Sequence, residues 1–74
     1  MKQMTTNQIK LLDVVALTFA LPEHNLSRGQ VGTIVEILDD GAAFLVEFSG
    51  DDGHSSAFLP LSPNQLLVLH FEQA

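Results

Sequence analysis

The chain has 74 residues, and three basic residues face nine acidic ones, so the formal net charge is -6. This length makes a single domain with a small core, and the absence of cysteine excludes disulfides, thiolate chemistry and the usual structural zinc sites. Three cations are too few for the basic face that nucleic-acid binding requires. At 46% hydrophobic residues, the chain has more apolar side chains than one small core hides, which indicates contact with another molecule.

Residues 1–10 are polar and are predicted to form a flexible arm, and residues 11–74 are predicted to form the single domain. The N-terminus lacks the apolar segment of a signal peptide, and no run approaches the roughly 18 apolar residues of a membrane span. Together with the missing cysteines, these features predict a cytoplasmic protein.

Short runs of β-branched and apolar residues, separated by turn-forming residues, predict five β-strands. The predicted strands are residues 12–18, 32–38, 43–48, 54–61 and 66–71. Residues 19–29 contain Pro, Asn, Ser and Gly, which predicts a long irregular loop after the first strand. Pro60 suits an edge strand, and Ser62 before Pro63 predicts a single 3₁₀ turn ahead of the last strand.

The second and third strands are predicted to form a hairpin around residues 39–42, where Gly41 supplies the positive φ of a tight turn. Strict alternation then assigns side chains to the two faces of each strand. The predicted core residues of the hairpin are Val35, Ile37, Phe44, Val46 and Phe48. By the same rule, Ile34 is predicted to lie on the outer face, partly exposed or in an interface.

A strand, a long loop, a three-stranded meander, a 3₁₀ turn and a closing strand follow one another in the order of an SH3-like barrel, so we predict an all-β, five-stranded barrel. Residues 29–37, Gly-Gln-Val-Gly-Thr-Ile-Val-Glu-Ile, resemble the strand entry of KOW-type and other SH3-like barrels. The wider pattern is similar to a bacterial family of small proteins, domain of unknown function 4926. It comprises residues 11–17, 21–24, 28–36 and 65–69. The resemblance implies the barrel, and it implies an antitoxin-like or immunity-like partner role as an expectation.

Two acidic turns, Asp39-Asp40 and Asp51-Asp52, are the candidates for a metal site, with His54 beside the second. The turns lie at opposite ends of the third strand, about 20 Å apart at roughly 3.3 Å per residue. They cannot share an ion, and neither has the ligand spacing of a calcium loop. We therefore predict solvated turns, no metal and no cofactor.

His54, Ser55 and Ser56 include the residue types of a hydrolase, and an enzyme acting through His54 with Asp51 and Asp52 is conceivable on composition. Neighbours along a strand point to opposite faces, however, and no nucleophile-elbow motif surrounds either serine. The sequence therefore favours a protein that is not an enzyme.

The last predicted strand is apolar on both faces, which is typical of a strand that is covered on both sides. We therefore predict a non-catalytic protein–protein interaction module that self-associates, as a homodimer, or binds a partner protein, and that binds neither nucleic acid nor membrane. The predicted contact residues are Pro22, His24, Leu26, Arg28, Leu67, Leu69 and Phe71. The alternative is a KOW-like accessory domain in translation or transcription, which would need the basic charge that this chain lacks.

Overall fold

The computed structural model describes residues 9–50 and 56–69, and these residues form five strands. The strands are β1 (Val14–Leu17), β2 (Val31–Leu38), β3 (Ala43–Ser49), β4 (Ser56–Leu61) and β5 (Leu66–Val68). Three 3₁₀ turns lie between them, at Pro22–His24, Asp39–Gly41 and Pro63–Gln65. Within the described ranges there is no α-helix, and so no helix long and apolar enough to cross a membrane.

All strand pairs are antiparallel, and the sheet order is β4-β3-β2-β1-β5. This is the order of an SH3-like barrel, so the predicted all-β fold is confirmed. The long loop after β1 and the 3₁₀ turn before β5 are also present as predicted. Pro60 lies in β4 at the edge of the sheet, where the missing N–H disrupts no central ladder.

The core lies on one face of this sheet, which we call the core face. Its buried cluster consists of Val15, Leu17, Ile34, Phe44, Val46, Phe48, Leu61 and Leu66. In β3 the predicted alternation is confirmed, because Phe44, Val46 and Phe48 are buried and the residues between them are not. Facing positions of β4 and β5 complete the cluster through Leu61 and Leu66.

The predicted burial in β2 is wrong, and the predicted outer position of Ile34 is wrong with it. Ile34 is fully buried at 0% exposure, whereas Ile37 is 44% exposed and Val35 is half-buried. The pairing register explains why Ile34 is buried: it pairs with Val46 of the core, and the next pair along the strands joins Glu36 to Leu45, which leaves Val35 without a partner. Val35 is therefore the extra residue of a β-bulge, and simple alternation cannot be carried across a bulge. Ile37 pairs with Phe44 beyond this point and so lies on the core face, as predicted, but its side chain is not covered.

At Gly32 the backbone of β2 lies close to β3 and to the core. A Cβ placed on this buried glycine would lie 2.8 Å from the Glu47 carbonyl oxygen and from side-chain atoms of Phe48 and Val46. Only glycine leaves room for these two core side chains beneath the strand.

Candidate interaction surface

The long loop after β1 is held against the core face of the sheet where Leu21 and Leu26 pair. The Leu21 amide donates to the Leu26 carbonyl at 2.9 Å, and the Leu26 amide donates back at 3.1 Å. Both side chains are half-buried against the core cluster. Leu26, a predicted contact residue, therefore contributes mainly to holding the loop on the domain.

The remaining predicted loop contacts are exposed. Pro22 and His24 lie in the 3₁₀ turn at the tip, and Arg28 lies in the turn that leads back to β2. The Gln30 amide closes that turn by donating to the Ser27 carbonyl at 3.0 Å, and Gly29, with φ of 88°, donates its amide to the Leu17 carbonyl of β1 at 2.8 Å.

A depression of about 590 Å³ separates the loop from the adjoining ends of β3 and β4. Its lining residues are His24, Asn25, Leu26, Ser27, Gln30, Phe48, Ser49, Gly50, Ser56 and Ala57. Of these residues only His24 has a titratable side chain, and no carboxylate among them could orient an imidazole as a general base requires. The described lining offers hydroxyl and amide groups but no arrangement for acid–base chemistry.

The outer face of the sheet, opposite the core, carries a row of aliphatic side chains across three strands. Ala16 of β1 pairs with Val31 of β2 on one side and with Leu67 of β5 on the other. Directly opposed residues share a face, so these three side chains lie in one line. Val31 is 51% exposed and Leu67 is 58% exposed, whereas Ala16 between them is only 8% exposed.

Two more aliphatic residues extend this row along the strands. Val14 and Leu69 each lie two residues from a member of the row and therefore on the same face. The Leu69 amide donates to the Val14 carbonyl at 2.9 Å, and both residues are half-buried. We call this surface the apolar stripe, and it comprises Val14, Ala16, Val31, Leu67 and Leu69.

The stripe exists because the segment from Leu66 to Leu69 is aliphatic at every position. Leu66 and Val68 pair with Leu17 and Val15 and face the core, so the alternate residues must face outward. The sequence prediction that the last strand is apolar on both faces is confirmed over the residues described, and the outer face is the one left exposed.

Other large apolar side chains are exposed singly. They are Leu11, Leu12, Phe19, Ile37 and Phe58. Phe58 lies opposite Glu47 on β4, at the far edge of the sheet from β5. Isolated exposed apolar residues are normal on protein surfaces and do not by themselves define a site.

The structure separates the predicted contact residues into two groups. The loop group lies on the side of the sheet where Leu26 meets the core, whereas Leu67 and Leu69 lie on the outer face. Phe71 lies outside the described residues, as do Asp51, Asp52, His54 and Ser55. Sequence reasoning missed Val14, Ala16 and Val31, although their alternation with Val15 and Gly32 is visible in the sequence.

Within residues 9–50 and 56–69, no three His, Asp or Glu side chains come together in a group that could hold a metal ion. Asp39 and Asp40 are exposed in the hairpin turn.

The strand order, the core and the absence of a helix within the described residues define a small all-β domain of the SH3-like class. The profile of the family described as domain of unknown function DUF4926 matches residues 11–68. The chain therefore belongs to the DUF4926 family. Neither a curated protein nor a solved structure matches the chain.

Proposed function

We propose that this chain is a non-catalytic protein–protein interaction module of the cytoplasm and that it binds polypeptides through the apolar stripe. The proposal rests on one observation. Val31 and Leu67 are more than half exposed, yet they lie in one continuous row with Ala16 that reaches the β5 edge of the sheet.

The free energy available from this surface is modest. Full burial of a Val or Leu side chain contributes about 1.5 to 3 kcal/mol, so covering the exposed halves of Val31 and Leu67 contributes roughly 1 kcal/mol each. The five residues of the stripe are apolar, so another apolar surface can cover them without desolvating an ion. The stripe ends at Thr33, which pairs with Val14 on the same face and is followed across the sheet by Glu47. A surface of this size supports a weak or transient complex, since a standard interface buries about 800 Å² per partner.

Two exposed apolar residues provide a matched pair for testing the stripe. Leu67 is 58% exposed within the stripe, and Phe58 is 54% exposed in β4 at the opposite edge of the sheet. Leu67→Lys and Phe58→Lys add the same charge at similar exposure, but only the first lies in the proposed binding surface.

The wild-type chain and both variants are immobilised at equal density, and the polypeptides retained from a cell extract are identified and quantified. We expect the wild type and Phe58→Lys to retain the same polypeptide, whether a copy of this chain or another protein, and Leu67→Lys to retain at least about tenfold less. Circular dichroism establishes that both variants are folded. Equal retention by Leu67→Lys, or no polypeptide retained by the wild type, would overturn the proposal.

A further inference from the structure

The β5 edge of the sheet has backbone groups that point away from β1. Two hydrogen bonds show which backbone groups of this segment point toward β1. The Leu69 amide donates to the Val14 carbonyl, and the Thr18 amide donates to the Gln65 carbonyl. In an antiparallel ladder these directions alternate, so the N–H and C=O of Val68 point to the free side. Leu66 also points that way, and its amide is already bonded to the Pro63 carbonyl.

The two edges of the sheet differ in how they are protected. The β4 edge contains Pro60, which lacks an N–H and opposes the addition of another strand. Residues 66–69 at the β5 edge are Leu-Leu-Val-Leu, with neither a proline nor a charge. Such an unprotected edge is a template for strand pairing.

Building on the proposed function, we propose that the occupant of this edge is a second copy of the chain, with β5 pairing antiparallel to β5 and Val68 opposite Val68. Each Val68 N–H then donates to the Val68 carbonyl of the other copy. These two groups have no backbone partner within residues 9–50 and 56–69, and in the pair they satisfy one another about a two-fold axis. Leu67 lies beside Leu69 of the second copy on the outer face, and the two apolar stripes become one surface across the joined sheet.

The charge distribution suits a second copy at this edge. Residues 62–69 contain no charged residue, although the chain as a whole carries a net charge of -6. Two copies that pair through this segment therefore bring no like charges into direct contact. The net negative charges of the two copies still repel each other over longer distances. Added salt screens this repulsion, so self-association should strengthen with ionic strength, whereas binding to a cationic protein would weaken.

Amide hydrogen exchange of the full chain, followed by NMR over a series of protein concentrations, tests the pairing. The Leu69 amide is an internal control, because its bond to Val14 lies within one copy and should protect it at every concentration. We expect protection of the Val68 amide to rise at least about tenfold from the lowest to the highest concentration, and to rise further with added salt.

The outcomes separate this inference from the proposed function. Fast exchange at Val68 that does not depend on concentration overturns the β5–β5 pairing. The proposed function can still hold in that case, provided that Leu67→Lys reduces polypeptide retention. Protection that is high at every dilution also overturns it, because a segment of the same chain would then cover the edge. Concentration-dependent protection of Val68 that falls with added salt would also contradict the inference, because screening should ease the repulsion between two copies of net charge -6.

Discussion

Ile34 is the residue that joins β2 to the core. It is 0% exposed and pairs with Val46, whereas Ile37, three positions later in the same strand, is 44% exposed. Removing buried methylene groups costs both transfer free energy and the cavity that remains. Chemically identical substitutions at these two positions should therefore have very different costs.

We expect Ile34→Ala to lower the free energy of unfolding by about 2 to 5 kcal/mol, and Ile37→Ala to lower it by about 1 kcal/mol or less. Denaturant unfolding followed by circular dichroism measures both. Since a small domain has little stability to lose, Ile34→Ala should be largely unfolded without denaturant. Equal costs at the two positions would contradict the difference in burial between Ile34 and Ile37.

The same pair of residues shows what the sequence could and could not predict. Alternation in β3 is unbroken, so its buried residues Phe44, Val46 and Phe48 could be read directly. In β2 the bulge at Val35 shifts the register by one residue, and no glycine or proline at that point marks it in the sequence. The burial of Ile34 could therefore not be predicted by period alone.

The hairpin between β2 and β3 turns through three consecutive residues of positive φ. Asp39, Asp40 and Gly41 have φ values of 48°, 56° and 96°. Asp tolerates this region better than most residues, and glycine adopts it without a Cβ penalty. The sequence predicted the positive φ at Gly41, but not that both aspartates would share it.

Gly41→Ala should lower the free energy of unfolding by about 1 to 2 kcal/mol through backbone strain alone, because nothing lies within 4 Å of the added Cβ. Thermal unfolding measures this cost. Gly32→Ala is the contrasting case, since its Cβ would meet backbone and core atoms at 2.8 Å. Gly32→Ala should therefore lower the free energy of unfolding more than Gly41→Ala does. The reverse order would show that strain in the turn costs more stability than the close contacts at Gly32.

Only some residues of the apolar stripe could be predicted from the sequence. The apolar character of the last strand followed from its sequence, and Leu67 and Leu69 could be named from it. Their neighbours in the stripe could not, because Ala16 and Val31 come from strands that are distant in sequence and meet only through the pairing of β1 with β2 and β5.

For the whole molecule, the charge balance makes a prediction about nucleic acid. Lys10 and Arg28 are the exposed cations among the described residues, and the net charge of the chain is -6. We expect no salt-sensitive binding to duplex DNA or single-stranded RNA at physiological ionic strength, as measured by fluorescence anisotropy. Micromolar binding that weakens steeply with salt would favour the KOW-like alternative instead.

The apolar stripe is the surface through which we propose that this domain associates with a second copy of itself. Light scattering coupled to size-exclusion chromatography, over a roughly hundredfold range of concentration, measures this most directly for the wild type, Leu67→Lys and Phe58→Lys. We predict that the average mass of the wild type and of Phe58→Lys rises above 8.1 kDa with concentration, while Leu67→Lys stays near 8.1 kDa. A wild type that remains at 8.1 kDa throughout would contradict self-association, and a Leu67→Lys variant that associates like the wild type would contradict the role of the stripe in it.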